Sequence, residues 1–409
     1  MTALVVDLFG GAGGFALGAH QHAPHAEVVS LEIDDDACAT QDANDMRFKQ
    51  TDLSDPAVAD EWLSELNNVE AFHLHASPPC QTFSVAGKGE GRKHLDTLAE
   101  AVGVALAGGD PSSLLGQVPE GSRLTVAPAT WIARLKPDTV SMEQVRTVLP
   151  LWEAYETGMQ ALGYQTWTGV LCAEQYGVPQ ARRRAWLMAR RGYQPVSAPA
   201  PTHSKYHNRK PDCLDAGVLP WVSMAEALGW GGEAVGFPRR NDTTDGGAYR
   251  SRDLFSSDRP SGTVTEKARS WHWYVMQGRV SGEGKPRSDD QPAPTISAKG
   301  TASVTDDPDS HYGTERSKLN AAGESWEHLR PSTTVNCDPR LSGPGRNDPT
   351  VPGSQYGPKA RRLTSEEAAI LQGFPSGYVF TGSKTSQFRQ IGNAVNPPVA
   401  AAVLRRLGW

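Results

Sequence analysis

A run of glycines that directly follows an apolar segment restricts the fold of this chain more than any other feature. Residues Ala3–Phe9 are almost continuously apolar, which predicts a strand buried in a parallel sheet. The chain then passes through Gly10–Gly14, and a helical pattern begins at Phe15. A strand, a glycine turn and a helix form the first unit of nucleotide-binding folds, in which glycine lets a ligand approach the backbone. Taken alone, the run fits a ligand loop and a plain tight turn equally well.

Two acidic residues at predicted strand ends favour the ligand loop. Val28–Glu32 is typical of a second strand, and Glu32 follows Gly14 by 18 residues, where an acid can bind the two hydroxyls of a ribose. Asp52 stands at the end of a predicted third strand, where its carboxylate can meet an adenine amino group. Because no Gly-Lys-Ser or Gly-Lys-Thr follows the glycines, the predicted ligand is an adenosine compound without phosphates.

The segment Pro78-Pro79-Cys80 is the main candidate for catalysis. Glu70–His75 is typical of a buried strand, and the two prolines end it, because proline fixes φ and restricts the residue before it. Cys80 is therefore held at a stiff bend, where a thiolate can be stabilised. By residue type alone, a buried structural cysteine is the more common interpretation. The motifs elsewhere in the chain favour a nucleophile instead.

The composition is that of an ordinary soluble globular protein, since 38% of the 409 residues are hydrophobic and 21% are charged. The five cysteines form no C-x-x-C pair, so we expect neither a disulfide framework nor a zinc site, and a reducing cytoplasm fits. The first residues lack a basic region and no apolar run reaches 18 residues, which predicts no signal peptide and no membrane span. Net charge changes from −12 over residues 1–100 to +5 over 359–409, so the overall −6 conceals a basic face.

Two further motifs adjoin predicted strands. Thr139–Met142 is typical of a strand, and it delivers Glu143 at its tip. Later in the chain, Arg182–Arg184 lie between Pro179-Gln180 and an apolar strand. Three arginines beside a strand are usually a solvated edge, but their attachment to Pro179-Gln180 argues against that interpretation here.

The amino-acid composition of the chain changes at about residue 192. Between 192 and 358, 17 residues are proline and 19 are glycine. Three copies of a Pro-x-x-Thr-Val/Ile pattern follow Arg259, Gln291 and Arg330, at spacings too irregular for a solenoid. Tryptophans such as Trp271 and Trp273 need a core, so a small, loop-rich, mostly β domain is favoured over a flexible linker.

Six motifs stand in a defined order along the chain. They are Asp7–Phe15, Pro78–Gln81, Glu143–Val145, Gln180–Arg184, Leu363–Pro375 (which begins a helix with Thr364 as its cap) and Gly392–Val395. In this order they resemble the motifs of the DNA cytosine-5 methyltransferase family. Each motif is only moderately specific, but six in order exclude coincidence, and the resemblance covers both ends and most of the first half of the chain.

The resemblance implies an α/β fold. It is a doubly wound, mostly parallel sheet of the S-adenosylmethionine-dependent methyltransferase type, with a smaller, loop-rich, mostly β target-recognition domain. The predicted units are residues 1–191 for catalysis and S-adenosylmethionine binding, 192–358 for target recognition, and 359–409 as a C-terminal segment that completes the catalytic domain.

The resemblance also implies roles for individual residues. Cys80 is the nucleophile, Glu143 hydrogen-bonds N3 of the cytosine, and Arg182 and Arg184 hold O2 and a nearby phosphate. The donor is S-adenosylmethionine, and the residues predicted to bind it are Asp7, Phe9, Gly11, Ala12, Gly13, Gly14, Glu32, Ile33, Asp52, Pro79, Asn393 and Ala394. The residues predicted to bind DNA are Gln81, Ser84, Arg239, Arg240, Arg250, Arg252, Lys267, Arg269, Lys299, Arg361 and Arg362. We expect no metal.

Three departures from the family pattern do not remove a group that the chemistry needs. Gln144 replaces the usual asparagine after the glutamate, extra residues lie between Cys80 and Glu143, and Ile370 stands where arginine is more frequent. The exchange at Gln144 predicts a change in how the catalytic loop is held.

Three alternative functions remain to be weighed. A cytosine-5 RNA methyltransferase would share every catalytic residue, but the large segment from 192 to 358 favours the reading of a DNA site. An inactive DNA-binding relative should lack Cys80 or Glu143, and both are present. A small-molecule methyltransferase leaves the cysteine and arginine motifs unexplained.

The expected partner is double-stranded DNA and not a membrane. We expect a monomer in the bacterial cytoplasm, associated with the nucleoid when on DNA, and the family admits a separate cognate restriction endonuclease.

Overall fold

Seven strands form one sheet: β1 Ala3–Leu8, β2 Ala26–Glu32, β3 Phe48–Gln50, β4 Ala71–Ala76, β5 Thr139–Val145, β6 Tyr164–Cys172 and β8 Arg183–Arg191. Their order in the sheet is β3-β2-β1-β4-β5-β8-β6. The computed structural model describes residues 3–79, 82–83, 90–207, 213–229, 235–238, 254–256, 259–264, 268, 272–275 and 361–409. A further short strand, β7 Gln180–Ala181, lies between β6 and β8 in the chain and is not part of this sheet.

The sheet is mostly parallel, as predicted. β1 pairs in parallel with β2 and β4, β2 with β3, and β4 with β5, whereas β8 runs antiparallel to both β5 and β6. The strand order reverses between β1 and β4. In such sheets ligands bind beyond the carboxyl ends of the strands at this reversal, which here is where the glycine loop and the Pro78-Pro79 turn both lie.

Helices cover both faces of the sheet, because successive side chains of a strand point to opposite sides. Val6 and Leu8 of β1 belong to one hydrophobic core, and Val5 belongs to another on the opposite face. The α-helices are α1 Gly14–His22, α2 Asp35–Asp42, α3 Val58–Glu61, α4 Leu95–Leu106, α5 Ser112–Leu115, α6 Glu120–Arg123, α7 Ala127–Leu135, α8 Leu149–Ala161, α9 Met224–Ala227, α10 Ser365–Gln372, α11 Lys384–Asn393 and α12 Pro397–Arg406. Within the described ranges, none is long and apolar enough to cross a membrane.

The C-terminal segment returns to the catalytic part of the chain. The side chain of Thr364 accepts a hydrogen bond from the N–H of Glu367, whose carboxylate accepts one from the N–H of Thr364, so the predicted cap is confirmed. Helix α12 packs against α1 through the core that contains Phe15 and Val403. The last residues of the chain therefore lie beside the first.

A second sheet has four strands: β9 Val235–Pro238, β10 Leu254–Ser256, β12 His272–Val275 and β13 Arg361–Arg362. It is antiparallel and has the order β10-β9-β12-β13. β11, Ser261–Gly262, pairs instead with β7 beside the main sheet. The first Pro-x-x-Thr-Val copy thus lies against the arginine motif, and the other two copies fall outside the described residues. The domain boundaries remain a prediction.

Two predicted strand ends differ from the structure. The strand expected to end at Met142 continues to Val145, because β8 pairs with it along its whole length and so places Glu143 inside the sheet. β3 ends at Gln50, so Asp52 lies on the turn that follows it rather than at the strand end.

Candidate active site

The glycine loop follows β1 at the reversal of strand order. Phe9 and Gly11 adopt positive φ values of 61° and 52°, and the N–H of Gly10 donates to the Leu31 carbonyl on β2 at 3.1 Å. A Cβ built on Gly11 would have no neighbouring atom within 4 Å. Glycine therefore satisfies the backbone conformation and also leaves this side of the loop open to a ligand.

Glu32, at the end of β2, is bonded to the glycine loop. Its Oε2 accepts a hydrogen bond from the N–H of Gly11 at 2.8 Å, and its Oε1 accepts from the N–H groups of Ile33 and Asp34 at 2.8 and 2.9 Å. A carboxylate has about four acceptor positions, so Glu32 can also accept from ribose hydroxyls. Ile33 is 57% exposed and offers an apolar surface beside this carboxylate.

Asp52 lies close to the end of β2. The N–H of the preceding Thr51 donates to the carbonyl of Glu32 at 2.8 Å, which holds the turn beside that strand. Oδ1 of Asp52 accepts from the N–H of Ser54 at 2.9 Å, and this hydrogen bond lowers the pKa of the exposed Asp52 carboxyl. Asp52 is thus an ionised acceptor next to Glu32, and these residues fit an adenosine group.

Asp7, which was predicted to bind the methyl donor, is enclosed within the sheet. Its side chain is fully buried, and the Ser30 hydroxyl donates to its Oδ2 at 3.4 Å. Burial raises the pKa of Asp7 to about 8, and the nearby Glu32 adds to this effect. Because no part of the carboxyl reaches the surface, the structure does not support direct contact between Asp7 and a donor; Asp7 supports the loop from within the sheet.

The C-terminal segment forms another side of this site. A Cβ built on Gly14 would lie 2.2 Å from the carbonyl oxygen of Val395 and 3.3 Å from the Cβ of Ala394, so only glycine permits this close approach. Asn393 is exposed at the end of α11, immediately before Ala394. The structure therefore brings these two predicted donor residues to the start of α1.

The Pro78-Pro79 turn, which follows β4, is anchored on both sides. The hydroxyl of Ser77 donates to the Phe9 carbonyl at 3.2 Å, and the buried amide of Gln144 donates to the carbonyl of Pro78. The turn is thus bonded to the glycine loop and to β5. Three predicted residues that follow it lie outside the described residues: Cys80, Gln81 and Ser84.

Glu143 and Arg184 form an ion pair between β5 and β8, with 3.1 Å between Oε1 and Nε. Glu143 is only 5% exposed. Burial raises the pKa of Glu143, and the positive charges of Arg184 and Arg182 oppose the rise. The result is a glutamate that retains a proton at higher pH than an exposed one, beside a guanidinium.

Arg182 does not join this pair. It is 1% exposed, and it donates to the carbonyl oxygens of Gly392 at 2.9 Å and Ala394 at 3.2 Å. The prediction that it holds O2 and a phosphate therefore needs correction, because its guanidinium binds main-chain carbonyls of the C-terminal segment. Arg184, two residues later, is the predicted arginine that pairs with Glu143.

Most of the residues predicted to bind DNA lie outside the described residues. Arg361 and Arg362 form β13, which pairs with β12 through its backbone. The residues predicted to read bases all lie outside the described residues: Arg239, Arg240, Arg250, Arg252, Lys267, Arg269 and Lys299. Over the part of the chain that is described, no group of His, Cys, Asp and Glu side chains could hold a metal ion.

Sequence reasoning assigned no role to several polar side chains that hold the site together. Gln180 donates to the Oε1 of Gln372 at 2.7 Å, and Gln372 donates to the carbonyl of Ala394 at 2.7 Å, all in the interior. Both glutamines stand in recognised motifs, which was a usable signal. Gln41 and Tyr378, which bond to the glycine loop, stand in none.

Comparisons with known proteins identify the family of this chain. The C-5 cytosine-specific DNA methylase family matches residues 4–102 and 113–409. The internal unmatched residues, 103–112, run from the end of α4 to the first residue of α5 and lie between Cys80 and Glu143, where the sequence predicts extra residues.

Curated relatives extend over nearly the whole chain. Type II methyltransferase M1.HphI of Haemophilus parahaemolyticus is 26% identical over 412 residues, which cover 98% of this chain and 86% of the relative. Type II methyltransferase M.NaeI of Lentzea aerocolonigenes is 26% identical over 415 residues, which cover 98% and 74%.

Solved structures confirm the predicted methyltransferase fold. The Dnmt2 methyltransferase of S. pombe has a TM-score of 0.52 at 14% identity, covering 99% of this chain and 98% of the other. A DNMT2 variant from Spodoptera frugiperda has a TM-score of 0.51 at 16% identity and covers 99% of each chain. Such low identities concern the fold alone. The family match over nearly the full length establishes that this chain belongs to the C-5 cytosine-specific DNA methylase family and is a DNA cytosine-5 methyltransferase.

Proposed function

We propose that this enzyme transfers a methyl group from S-adenosylmethionine to C5 of a cytosine flipped out of double-stranded DNA, through a covalent bond between Cys80 Sγ and C6. The observation that carries the proposal is the ion pair between the buried Glu143 and the partly buried Arg184, at 3.1 Å. It adjoins Gln144, whose amide binds the Pro78 carbonyl just before the nucleophile.

The nucleophile answers a chemical need of the substrate. C5 of cytosine is a poor nucleophile, and addition of a thiolate at C6 converts the ring to an enamine whose C5 is electron-rich. Cys80 follows directly on Pro79, at the end of a turn that Ser77 and Gln144 anchor. That anchored turn is the support in the structure for giving this role to Cys80.

Glu143 and Arg184 stabilise the charge that develops on the ring. Addition at C6 places negative charge on N3 and O2. Glu143, whose pKa is raised by burial, can share a proton with N3. Arg184 uses its Nε for Glu143, and a guanidinium has other N–H groups that can donate to O2.

Arg182 acts as a positioning residue. It is buried and holds the carbonyls of Gly392 and Ala394, which adjoin the donor site. It therefore keeps the C-terminal segment in place beside β8, and Arg184 makes the contact with substrate.

The donor site is built from residues that fit adenosine. S-adenosylmethionine, when bound, supplies a methyl group on a positively charged sulfur. Glu32 would hold the ribose hydroxyls, Asp52 the adenine amino group, and Ile33 one face of the adenine, while the open side of Gly11 lets the ligand approach the backbone. After the methyl group is transferred, C5 loses its proton and the C6–S bond breaks with its electron pair returning to Cys80.

The substrate is a cytosine outside the helical stack, because a stacked base cannot reach these buried groups. We propose that Arg239, Arg240, Arg250, Arg252, Lys267, Arg269 and Lys299 include the base-reading groups, and that Arg361 and Arg362 bind phosphates. We further propose a monomer that acts on the bacterial chromosome in the cytoplasm. A separate cognate endonuclease is consistent with the type II names of the relatives.

A trapping experiment tests the proposal. Duplex DNA that carries 5-fluorocytosine at the methylated position cannot lose the C5 substituent, so the wild type should form a complex that resists denaturation. Cys80→Ala should abolish trapping and keep DNA binding, and a Cys80→Ala variant that still methylates DNA would overturn the mechanism. Bisulfite sequencing of cellular DNA identifies the site. Methylation of RNA in place of duplex DNA would favour the RNA alternative.

A further inference from the structure

Two carbonyl groups of the glycine loop are held by side chains from elsewhere in the chain. The Gly11 carbonyl accepts a hydrogen bond from Nε2 of Gln41 on α2 at 2.8 Å. The next carbonyl, that of Ala12, accepts from the hydroxyl of Tyr378 at 2.6 Å. The loop that presents the open side of Gly11 is therefore held at two consecutive peptide groups.

Gln41 and Tyr378, the two side chains that hold these carbonyls, belong to one hydrogen-bonded unit of the structure. The Thr40 hydroxyl donates to Oε1 of Gln390 at 2.7 Å, and the N–H of Thr381 donates to the Thr40 hydroxyl at 2.9 Å. Nδ2 of Asn44 donates to the Val379 carbonyl at 2.8 Å. Helix α2 and the residues around Tyr378 therefore remain joined when either bond to the loop is removed.

The Tyr378 ring is fixed independently of its hydroxyl. Its centroid lies 4.7 Å from that of Phe374 and 5.2 Å from that of Phe380. Burial raises the pKa of Tyr378, so the hydroxyl stays protonated and remains a donor. Replacing tyrosine with phenylalanine should thus remove one hydrogen bond and keep the aromatic packing.

We infer that Tyr378 and Gln41 are positioning residues for the methyl donor, because they hold the carbonyls of Ala12 and Gly11 in the conformation that leaves the Gly11 side open. The inference rests on the donor site of the proposed function. A loop that loses one of these hydrogen bonds spends part of its time in other conformations. The apparent dissociation constant for S-adenosylmethionine then rises as the fraction of protein in the binding conformation falls.

The experiment measures binding of S-adenosylmethionine by calorimetry without DNA, for the wild type, Tyr378→Phe and Gln41→Met. We expect each variant to raise the Kd about tenfold, which corresponds to about 1.4 kcal/mol. Tyr164→Phe is the matched control, since the Tyr164 hydroxyl also donates to a main-chain carbonyl, that of Pro137, at 2.6 Å in the interior. It should leave the Kd unchanged, and all three variants should keep the wild-type affinity for DNA.

Each outcome has a defined meaning. Wild-type donor affinity in both Tyr378→Phe and Gln41→Met would overturn the inference, and so would an equal loss in Tyr164→Phe, because the effect would then be one of general stability. If Gln41→Met does not fold, Tyr378→Phe decides by itself, since its aromatic packing is retained. Failure of the wild type to bind S-adenosylmethionine would instead contradict the proposed function.

Discussion

The side-chain amide of Gln144 donates a hydrogen bond to the carbonyl of Pro78, and its Oε1 accepts one from the N–H of Val145. One buried side chain thus links β5 to the turn that precedes Cys80. Glutamine is one methylene longer than the asparagine more usual at this position in the family. We therefore expect the predicted change in how the loop is held to act through this bridge between β5 and the turn.

Removing this bridge should slow catalysis more than it changes binding. We expect Gln144→Leu to lower kcat by about 100-fold, because a displacement of about 1 Å at a reacting group has an effect of this size. The Kd for the donor should stay within error of the wild type. For Gln144→Asn we expect a kcat between those of Gln144→Leu and the wild type. Gln160→Leu changes a glutamine on the exposed side of α8 and should have wild-type activity. Full activity of Gln144→Leu would contradict this role.

Arg184 should influence both the rate and its dependence on pH. Its positive charge lowers the pKa of Glu143 against the effect of burial, so Arg184→Met should raise that pKa further. The alkaline limb of the single-turnover rate, where Glu143 loses its proton, should therefore move to higher pH. The maximal rate should fall by about 100-fold with the loss of a donor to the developing charge. The exposed Arg183→Met serves as the control; an unchanged or acid-shifted limb in Arg184→Met would count against the assignment.

Arg182 should matter for stability before it matters for chemistry. Arg182→Met leaves the carbonyls of Gly392 and Ala394 without a charged donor in the interior. In urea unfolding, the free energy of unfolding should fall by about 3 kcal/mol, which is the upper range for hydrogen bonds to charged groups. Arg184→Met should lower the free energy of unfolding by less than this. If Arg182→Met keeps wild-type stability and loses only DNA affinity, the original prediction of a phosphate contact is correct after all.

Asp7 should make stability depend on pH. The pKa of Asp7 is about 8 in the folded protein and 3.8 for the ordinary residue, so between pH 4 and 8 the folded state retains a proton that the unfolded state has lost. The contribution of Asp7 to the free energy of unfolding is therefore fully present below pH 4. It is lost as the pH rises to 8, by at most about 1.4 kcal/mol per pH unit. Asp7→Asn should therefore lose less stability than the wild type between pH 5 and pH 8 in urea unfolding. The exposed Asp42→Asn should behave as the wild type, and an unchanged slope in Asp7→Asn would disprove the effect.

Features that depend on neighbours in the chain were predictable. The continuous apolar run of β1 and the glycines after it identified the first unit of the sheet, because burial on both faces requires such a run and the loop requires positive φ at Gly11. The cap at Thr364 was predictable for the same reason, since its partner Glu367 is only three residues away. The proline turn after β4 and the acid at the end of β2 also follow from local constraints.

The tertiary structure alone decided which polar side chains pair with one another and which bind main-chain carbonyls. Arg182 and Arg184 are alike in sequence, yet Arg182 is enclosed by the C-terminal segment and Arg184 reaches Glu143. The partner of Tyr378 is a carbonyl 366 residues earlier in the chain. Such bonds depend on how distant elements pack, and a main-chain carbonyl is present at every residue. The sequence therefore does not show which carbonyl a given side chain will bond.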